Sequence, residues 1–286
     1  MTIPLLLVAG LASSFCVLLQ AEKCIRQIVA ALDSGTLSQG EASKLAGRLS
    51  WSTQFLFHRL GRALLRPLFD RAHSSVTLVD SDLRASLVWW KDILCQRVAE
   101  SYPWARSYRP PVILLVDARG QPAHCAAVAL IDGEIHFTDG PPAGDIMASL
   151  KERKDNQIGQ LFCSPRFPLS LVRPLCRPFA GALETLAIAL GLSTFLPRLV
   201  GRNVILYGDN KGAEAAARKG SAKQFDWCKI IHGIWSLAFH GRFGLWISRV
   251  PTDDNIADLP SREEYDLLFK LGAQWWEPQI AVCSLD

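Results

Sequence analysis

A short apolar run in the second half of the chain leads into a carboxylate, in surroundings typical of a strand that turns into a helix. Residues 204–207 are strand formers, Gly208 lets the backbone bend, and residues 213–218 are strong helix formers. Asp209 is therefore predicted at the carboxyl end of a strand, where open α/β sheets place their chemistry. The alternative is that Asp209 only caps the helix. The chemical interpretation requires other carboxylates to converge on it.

Three further acids stand where predicted elements begin or end. Asp117 follows the continuous apolar run 112–116, which is predicted to be a strand, and Glu184 opens a predicted helix over residues 185–196. Asp258 lies in a predicted helical turn after the last strand. For Asp117 alone, the alternative is an ordinary aspartate in a surface turn.

The elements that would carry these acids follow a change in composition near residue 108. Pro103 and the cluster Arg109-Pro110-Pro111 are typical of a hinge and predict a domain boundary there. After it, Asp132-Gly133 joins two of three strands that form an antiparallel meander. The whole order, β-β-β-α-β-α-α-β-α, predicts an α/β fold with a mixed five-stranded sheet and flanking helices.

The stretch before the hinge, residues 21–108, is predicted to form a small all-helical region. Asp33-Ser34-Gly35 ends its first helix, and Ser38 with Glu41 forms a capping box for the next. Basic side chains crowd part of this region, and we interpret three of them as sequence-independent contacts with a nucleic-acid backbone: Arg59, Arg62 and Arg66. The alternative is a solvated face of a helical domain.

The composition of the 286-residue chain is that of a globular protein, because 49% of residues are hydrophobic and 20% are charged. A formal charge of +4 and a pI near 8.6 are compatible with a polyanionic partner without establishing one. The eight cysteines are scattered, with no C-x-x-C pair and no cysteine–histidine cluster at zinc spacing. They predict reduced thiols in an intracellular protein of the cytoplasm or nucleus.

An uncharged, mostly apolar run at residues 3–19 raises the possibility of a signal peptide or a membrane span. No lysine or arginine precedes the run, so the basic region of a signal peptide is missing. We therefore interpret residues 1–20 as a buried segment or one cut off from something larger, and we expect no membrane partner.

The placement of the four acids resembles the ribonuclease H fold. Residues 255–262, Asn-Ile-Ala-Asp-Leu-Pro-Ser-Arg, are similar to the N-x-x-A-D-x-x-S-R ending of retrotransposon ribonuclease H domains, with one residue fewer between Asn255 and Ala257. Residues 45–51, Leu-Ala-Gly-Arg-Leu-Ser-Trp, and residues 61–68, Gly-Arg-Ala-Leu-Leu-Arg-Pro-Leu, resemble the segment after the polymerase palm in reverse transcriptases of the DIRS type. The resemblance covers about residues 21–270 and identifies the chain as a fragment of a retrotransposon polyprotein.

This resemblance implies a metal site and a reaction. The matching acids of that family hold two Mg²⁺ ions, with Mn²⁺ as a substitute, and here they are Asp117, Glu184, Asp209 and Asp258. Hard divalent cations prefer oxygen ligands, and like charges packed together are tolerable around a metal. The implied activity is two-metal hydrolysis of the RNA strand of an RNA–DNA hybrid. The implied partners are that hybrid and the polymerase part of the same element.

The implied domains are a thumb- or connection-like region at residues 21–108, a ribonuclease H-like domain at 109–272 and a tail at 273–286. The chain departs from the family at residues 162–183, which are rich in proline and carry no acid. They are either a translated intron or a surface loop, and we favour the intron. Because prolines interrupt helices, Glu184 is expected at a frayed helix start, with weak or absent hydrolysis.

Other functions remain as alternatives. The sequence contains no Tyr-x-Asp-Asp polymerase motif, so DNA synthesis is not expected. His232 and His240 do not lie between the last strand and Asp258, and we assign them no proton-transfer role. The rival interpretations are a catalytically inactive nucleic-acid-binding remnant and a structural fragment. A DNA-directed nuclease or integrase is disfavoured by the ending around Asp258.

Overall fold

The computed structural model describes residues 5–53, 59–96, 109–142 and 177–279. These residues divide into two compact units, a helical unit before residue 97 and a mixed α/β unit after residue 108. The predicted boundary near residue 108 falls in a stretch outside the described residues.

The described part of the helical unit consists of four helices and a short 3₁₀ turn, Ala63–Leu65. The helices are α1 (Leu5–Ser34), α2 (Gln39–Ser52), α3 (Arg66–Ala72) and α4 (Ser81–Cys95). The capping box predicted for α2 is present, because the Ser38 side chain accepts from the Glu41 N–H and Glu41 accepts from the Ser38 N–H. Helix α2 packs on α3 and α1 packs on α4, burying leucine side chains such as Leu45 and Leu68.

Helix α1 runs without a break across the predicted boundary at residues 20 and 21. Residues of the apolar N-terminal segment, from Leu5 onward, and the first predicted helix therefore form one helix. It ends at Ser34, as predicted, and Gly35 follows with φ of +66°, a conformation that glycine adopts readily. Among the described residues, no helix has both the length and the apolar character that a membrane crossing requires.

The described residues of the second unit form six strands and six α-helices. The strands are β1 (Val112–Gly120), β2 (Ala123–Ile131), β3 (Glu134–Gly140), β4 (Asn203–Gly208), β5 (Gly244–Arg249) and β6 (Gln274–Trp275). The helices are α5 (Arg177–Thr194), α6 (Leu196–Leu199), α7 (Lys211–Lys219), α8 (Phe225–His240), α9 (Asp258–Ser261) and α10 (Asp266–Lys270).

The strands form one mixed sheet in the order β5-β4-β1-β2-β3-β6. Strands β1, β2 and β3 are antiparallel neighbours, whereas β4 is parallel to β1 and β5 is parallel to β4. The predicted α/β class, with an antiparallel meander, parallel strands, flanking helices and a helical region before it, is confirmed. The prediction of five strands is corrected to six, because the two-residue β6 pairs with β3.

Residues 273–279, in the stretch predicted to be a tail, pack against this unit. Ala273 is buried, β6 pairs with β3, and the Trp276 N–H donates to the main-chain O of Phe137. Asp139 on β3 reinforces the attachment by accepting hydrogen bonds from Trp275 Nε1, Tyr265 Oη and His124 Nε2. A two-residue strand has too little apolar pattern to be recognised in a sequence.

Helix α5 begins at Arg177, seven residues before the predicted helix start at Glu184. Residues 177–183, assigned to an inserted loop, are therefore helical, and Ala182 and Leu183 are buried. Pro178 is the second residue of α5, where a missing N–H costs nothing because the first turn has no intrahelical partner. The rest of the predicted insertion, residues 162–176, lies outside the described residues.

Candidate metal centre

Asp117 is positioned by β1, next to the point where this strand parts from β4. The parallel pairs of the two strands end at Leu115 and Tyr207, and Asp117 lies two residues further on. It remains paired with Ala126 of β2, so the strand continues past the predicted end at residue 116. The side chain is 6% exposed. The surface-turn alternative for Asp117 is therefore wrong.

Glu184 is positioned by the middle of α5, which packs across β1 and β2. Gly191 lies seven residues later, about two helical turns, and therefore on nearly the same side of the helix. A Cβ at Gly191 would stand 2.8 Å from the Cβ of Ala127, so the absence of a side chain lets the helix approach the sheet. Glu184 is 9% exposed and accepts a hydrogen bond from the backbone of Ala118. The predicted frayed helix start at Glu184 is not found.

Asp209 follows the last residue of β4 and precedes the helix α7. The residue that caps α7 is Asn210, whose Oδ1 accepts from the N–H groups of Gly212 at 2.9 Å and Ala213 at 3.1 Å. The helix-cap alternative for Asp209 is therefore wrong. Its own Oδ2 accepts from the hydroxyl of Thr252 at 2.8 Å.

The three carboxylates meet beyond the carboxyl ends of the paired parts of β1 and β4. Asp117, Glu184 and Asp209 each offer an oxygen, and these oxygens lie within 4.8 Å of one another. The register explains the meeting of the two aspartates, because each lies two residues beyond the last pair of β1 and β4. The convergence expected from the sequence is found for these three acids. Three oxygen ligands that close to one another could hold a divalent metal ion.

Placing these acids together in a buried site changes the pKa of Glu184. Burial raises the pKa of its carboxyl from an ordinary 4.5 to about 9, with smaller contributions from the charges of Asp117 and Asp209. Burial also raises the pKa of Asp117, a shift that a hydrogen bond from Ser261 opposes. Repulsion among these charges is therefore the smaller cause of the shifts, and burial is the larger. A bound cation would offset both causes.

Asp258 stands beside this group without belonging to it. It opens α9, as predicted, and its charge contributes to the raised pKa values of Asp117 and Glu184. Its Oδ2 accepts from Arg262 Nε at 2.9 Å, and its side chain is 28% exposed. The structure therefore shows a buried group of three acids with a fourth, ion-paired acid close to it.

The other residues singled out by the sequence lie elsewhere. His232 is buried within α8, where burial lowers its pKa to about 3, and His240 Nδ1 hydrogen-bonds the main-chain O of Ser236. His232 is therefore a packed histidine and His240 is an exposed one. In the helical unit, Arg66 forms an ion pair with Asp70 at 2.7 Å.

The three arginines proposed for nucleic-acid contact lie close together in sequence around the 3₁₀ turn of the helical unit. Arg59 is exposed, whereas Arg62 and Arg66 are half-buried. Nearby Arg71 is buried instead, with its guanidinium on the main-chain O of Val76 and Leu78. The contact of Arg59, Arg62 and Arg66 with nucleic acid stays a prediction.

Three polar side chains around the acids make contacts that the sequence did not predict. Thr252 holds Asp209, Asn255 holds the main chain before Asp117, and Ser261 lies within hydrogen-bonding reach of Asp117. Ser261 has one hydrogen to donate, and it can go to Asp117 or to the main-chain O of Asp258 at 2.9 Å. All three come from the segment 252–261, and the density of small polar residues there was the available signal.

No model of a protein family matches the sequence, and no curated protein matches it either. The described residues therefore establish a mixed α/β unit with a buried acidic group that could hold a metal ion.

Proposed function

We propose that the chain is a retrotransposon-derived ribonuclease H-like protein that hydrolyses the RNA strand of RNA–DNA hybrids. The observation that carries the proposal is the meeting of Asp117, Glu184 and Asp209 within 4.8 Å at the edge of a mixed sheet. The sheet order and the similarity of residues 255–262 to retrotransposon ribonuclease H endings support the same conclusion. Asp258 would complete the set of four acids.

The residues present fit a magnesium centre. Their donors are carboxylate oxygens, the ligands that Mg²⁺ and Mn²⁺ prefer, and a bound cation would offset the burial and the neighbouring charges that raise the pKa of Glu184. Asp117, Glu184 and Asp209 would hold the metal ions, with Asp258 joining them from its pair with Arg262. When bound, two such ions would activate the attacking water and stabilise the leaving 3′ oxygen.

The protein's own contribution is to hold these acids in place before a substrate arrives. Strand pairing fixes Asp117, the close approach of α5 at Gly191 fixes Glu184, and Thr252 fixes Asp209. Selectivity for RNA would come from contacts with the 2′-hydroxyl and from the shape of the hybrid duplex.

A catalytically inactive nucleic-acid-binding remnant is the second candidate, and one observation favours it. Asp258 is engaged by Arg262 at 2.9 Å, so the site as it stands has three available acids and not four. In that case the chain would bind a hybrid without cutting it.

One experiment separates the two candidates. The purified chain is incubated with a labelled RNA–DNA hybrid and Mg²⁺, and cleavage and binding are measured together. The proposed activity predicts RNA products with the wild type and none with Asp209→Asn. Glu214→Gln is the matched control, because Glu214 is a nearby acid that is ion-paired with Arg218 and lies outside the group of three. Binding without products from the wild type would support the inactive remnant.

A further inference from the structure

Asn255 is a buried asparagine that connects β1 to the beginning of α9. It is 3% exposed, and its Nδ2 donates to the main-chain O of Val116 at 3.0 Å. Its Oδ1 accepts from the N–H of Ala257 at 3.3 Å, and its main-chain O accepts from the N–H of Asp258 at 2.9 Å. One residue therefore links the strand of Asp117 with the helix of Asp258.

The Val116 carbonyl that binds this side chain lies where β1 is no longer paired with β4. The pairing of β1 with β4 ends at Leu115 and Tyr207, so Val116 is the first residue beyond it, and Asp117 is the next. A carbonyl left without a partner in a buried place is costly, and the amide of Asn255 satisfies it. The amide thus binds the main chain directly before a site carboxylate.

The residue type matches the task. Asparagine offers a donor for Val116 and an acceptor for Ala257 in one short side chain. An ionised aspartate of the same shape would present an acceptor to the Val116 carbonyl and would add a negative charge beside three others. An alanine would make neither bond.

Two neighbours in the same segment contact the carboxylates directly. Thr252 donates to Asp209 on the β4 side, and Ser261 lies within reach of Asp117 on the β1 side. These two contacts involve the carboxylates themselves, whereas Asn255 binds the backbone. Its bond to Val116 can therefore persist whether or not the carboxylates ligate a metal.

We propose that Asn255 is a positioning residue of the acidic site. Its side chain fixes the carboxyl end of β1 relative to the segment 252–261 and so holds Asp117 at ligand distance from Asp209, with Asp258 beside them. The inference rests on the proposed function for the metal that the site would bind, but the attachment itself does not depend on metal.

The test compares Asn255→Ala and Asn255→Asp with the matched control Thr194→Val. Aspartate keeps the volume and the acceptor for Ala257 but removes the donor to Val116. Exchange protection outside residues 112–120 and 252–262 reports whether each variant folds. Thr194 is the buried last residue of α5, away from the acids. Its side chain also forms hydrogen bonds with a main chain, that of Gln279. Each variant is measured without metal by amide hydrogen exchange and then by titration with Mn²⁺.

Both Asn255 variants are expected to speed exchange about fivefold in residues 112–120 and 252–262, the factor that removal of one hydrogen bond allows. They are expected to weaken Mn²⁺ binding about tenfold, as the removal of a group that orients ligands does. Thr194→Val should change exchange near Thr194 and Gln279. It should leave Mn²⁺ affinity within about twofold of wild type, a smaller change than the loss of a ligand-orienting group causes.

Three outcomes decide the matter. Unchanged exchange in residues 112–120 and 252–262 would overturn the inference, with or without metal binding. Faster exchange with Mn²⁺ affinity equal to wild type would also overturn it, because the bond would then be structural only. If the wild type binds no Mn²⁺, the proposed function fails, while locally faster exchange in the variants still supports the attachment.

Discussion

The hydroxyl of Thr252 donates to Oδ2 of Asp209 at 2.8 Å, across 43 residues of sequence. The bond fixes the rotation of a carboxylate whose oxygens lie near those of Asp117 and Glu184. A donor behind a ligand of this kind sets the direction in which the remaining oxygen points. Thr252 thereby takes part in the geometry of the site without being one of its acids.

We expect Thr252→Val to weaken the binding of Mn²⁺ about tenfold, because the Asp209 carboxylate would lose its orienting donor. The bond is solvent-exposed, so the free energy of unfolding should change by less than about 1 kcal/mol. Isothermal titration gives the affinity, and denaturant unfolding gives the stability. Ser34→Ala, which removes an exposed hydroxyl from the helical unit, is the control. Equal affinities in all three proteins would make the Thr252 bond incidental.

The raised pKa of Glu184 predicts that the metal-free protein loses stability as the pH rises. The carboxyl ionises near 4.5 when unfolded and near 9 when folded, so between these values the folded state holds a proton that the unfolded state has lost. The stabilising contribution is complete below about pH 4.5 and is lost progressively toward pH 9. Thermal unfolding in a chelator, from pH 5.5 to 8.5, should show a falling midpoint.

Two comparisons test this assignment to Glu184. Glu184→Gln should flatten the pH dependence, because an amide has no proton to lose, whereas Glu22→Gln at an exposed position should keep it. Adding Mg²⁺ at pH 8.5 should raise the midpoint of the wild type, since a cation favours the ionised carboxylates. A slope that survives in Glu184→Gln would assign the pH dependence to another group.

Deletion of residues 162–183 should unfold the α/β unit. The deletion removes the first seven residues of α5, including the buried Ala182 and Leu183, and the buried surface of one leucine is worth about 2 kcal/mol or more. We expect the cooperative thermal transition to disappear. The shorter deletion of residues 162–176 leaves all of α5 in place and serves as the control. A transition retained after the longer deletion would show that the start of α5 is dispensable.

The arginines of the helical unit are expected to add affinity that does not depend on sequence. Replacing Arg59, Arg62 and Arg66 with alanine should reduce the slope of log affinity against log salt concentration by about 0.9 for each phosphate of duplex DNA that is no longer neutralised. The control replaces three exposed basic residues elsewhere in the unit, Lys23, Arg26 and Lys44. If both triple variants lower the slope equally, the effect belongs to net charge and not to these arginines.

The sequence predicted the fold well where a local pattern determines the structure. Apolar runs located β1, β4 and β5, and the capping box located α2, because strands and helix starts depend on neighbouring residues. The end of β1 was missed because residues 117–120 are mostly polar or small, and their strand conformation comes from pairing with β2.

The sequence predicted the acids of the candidate site but not the hydrogen bonds that hold the surrounding backbone. Asp209 and Asn210 are adjacent and both suit a helix cap, so composition could not decide that Asn210 takes that role. The bond of Asn255 to Val116 spans 139 residues, and no local pattern encodes such a bond. The start of α5 was misplaced because Pro178 was counted as a helix breaker, although it stands in the first turn.

The close approach of Gly191 to Ala127 means that Gly191, which has no reactive group, determines the position of Glu184. Even a methyl group at Gly191 would stand 2.8 Å from Ala127 and push α5 outward, carrying Glu184 with it. A displacement of about 1 Å at a reacting group can cost roughly a hundredfold in rate. A genetic screen for loss of function should therefore recover Gly191 substitutions beside those of the acids, and a lineage that keeps the activity should keep this position free of side chains.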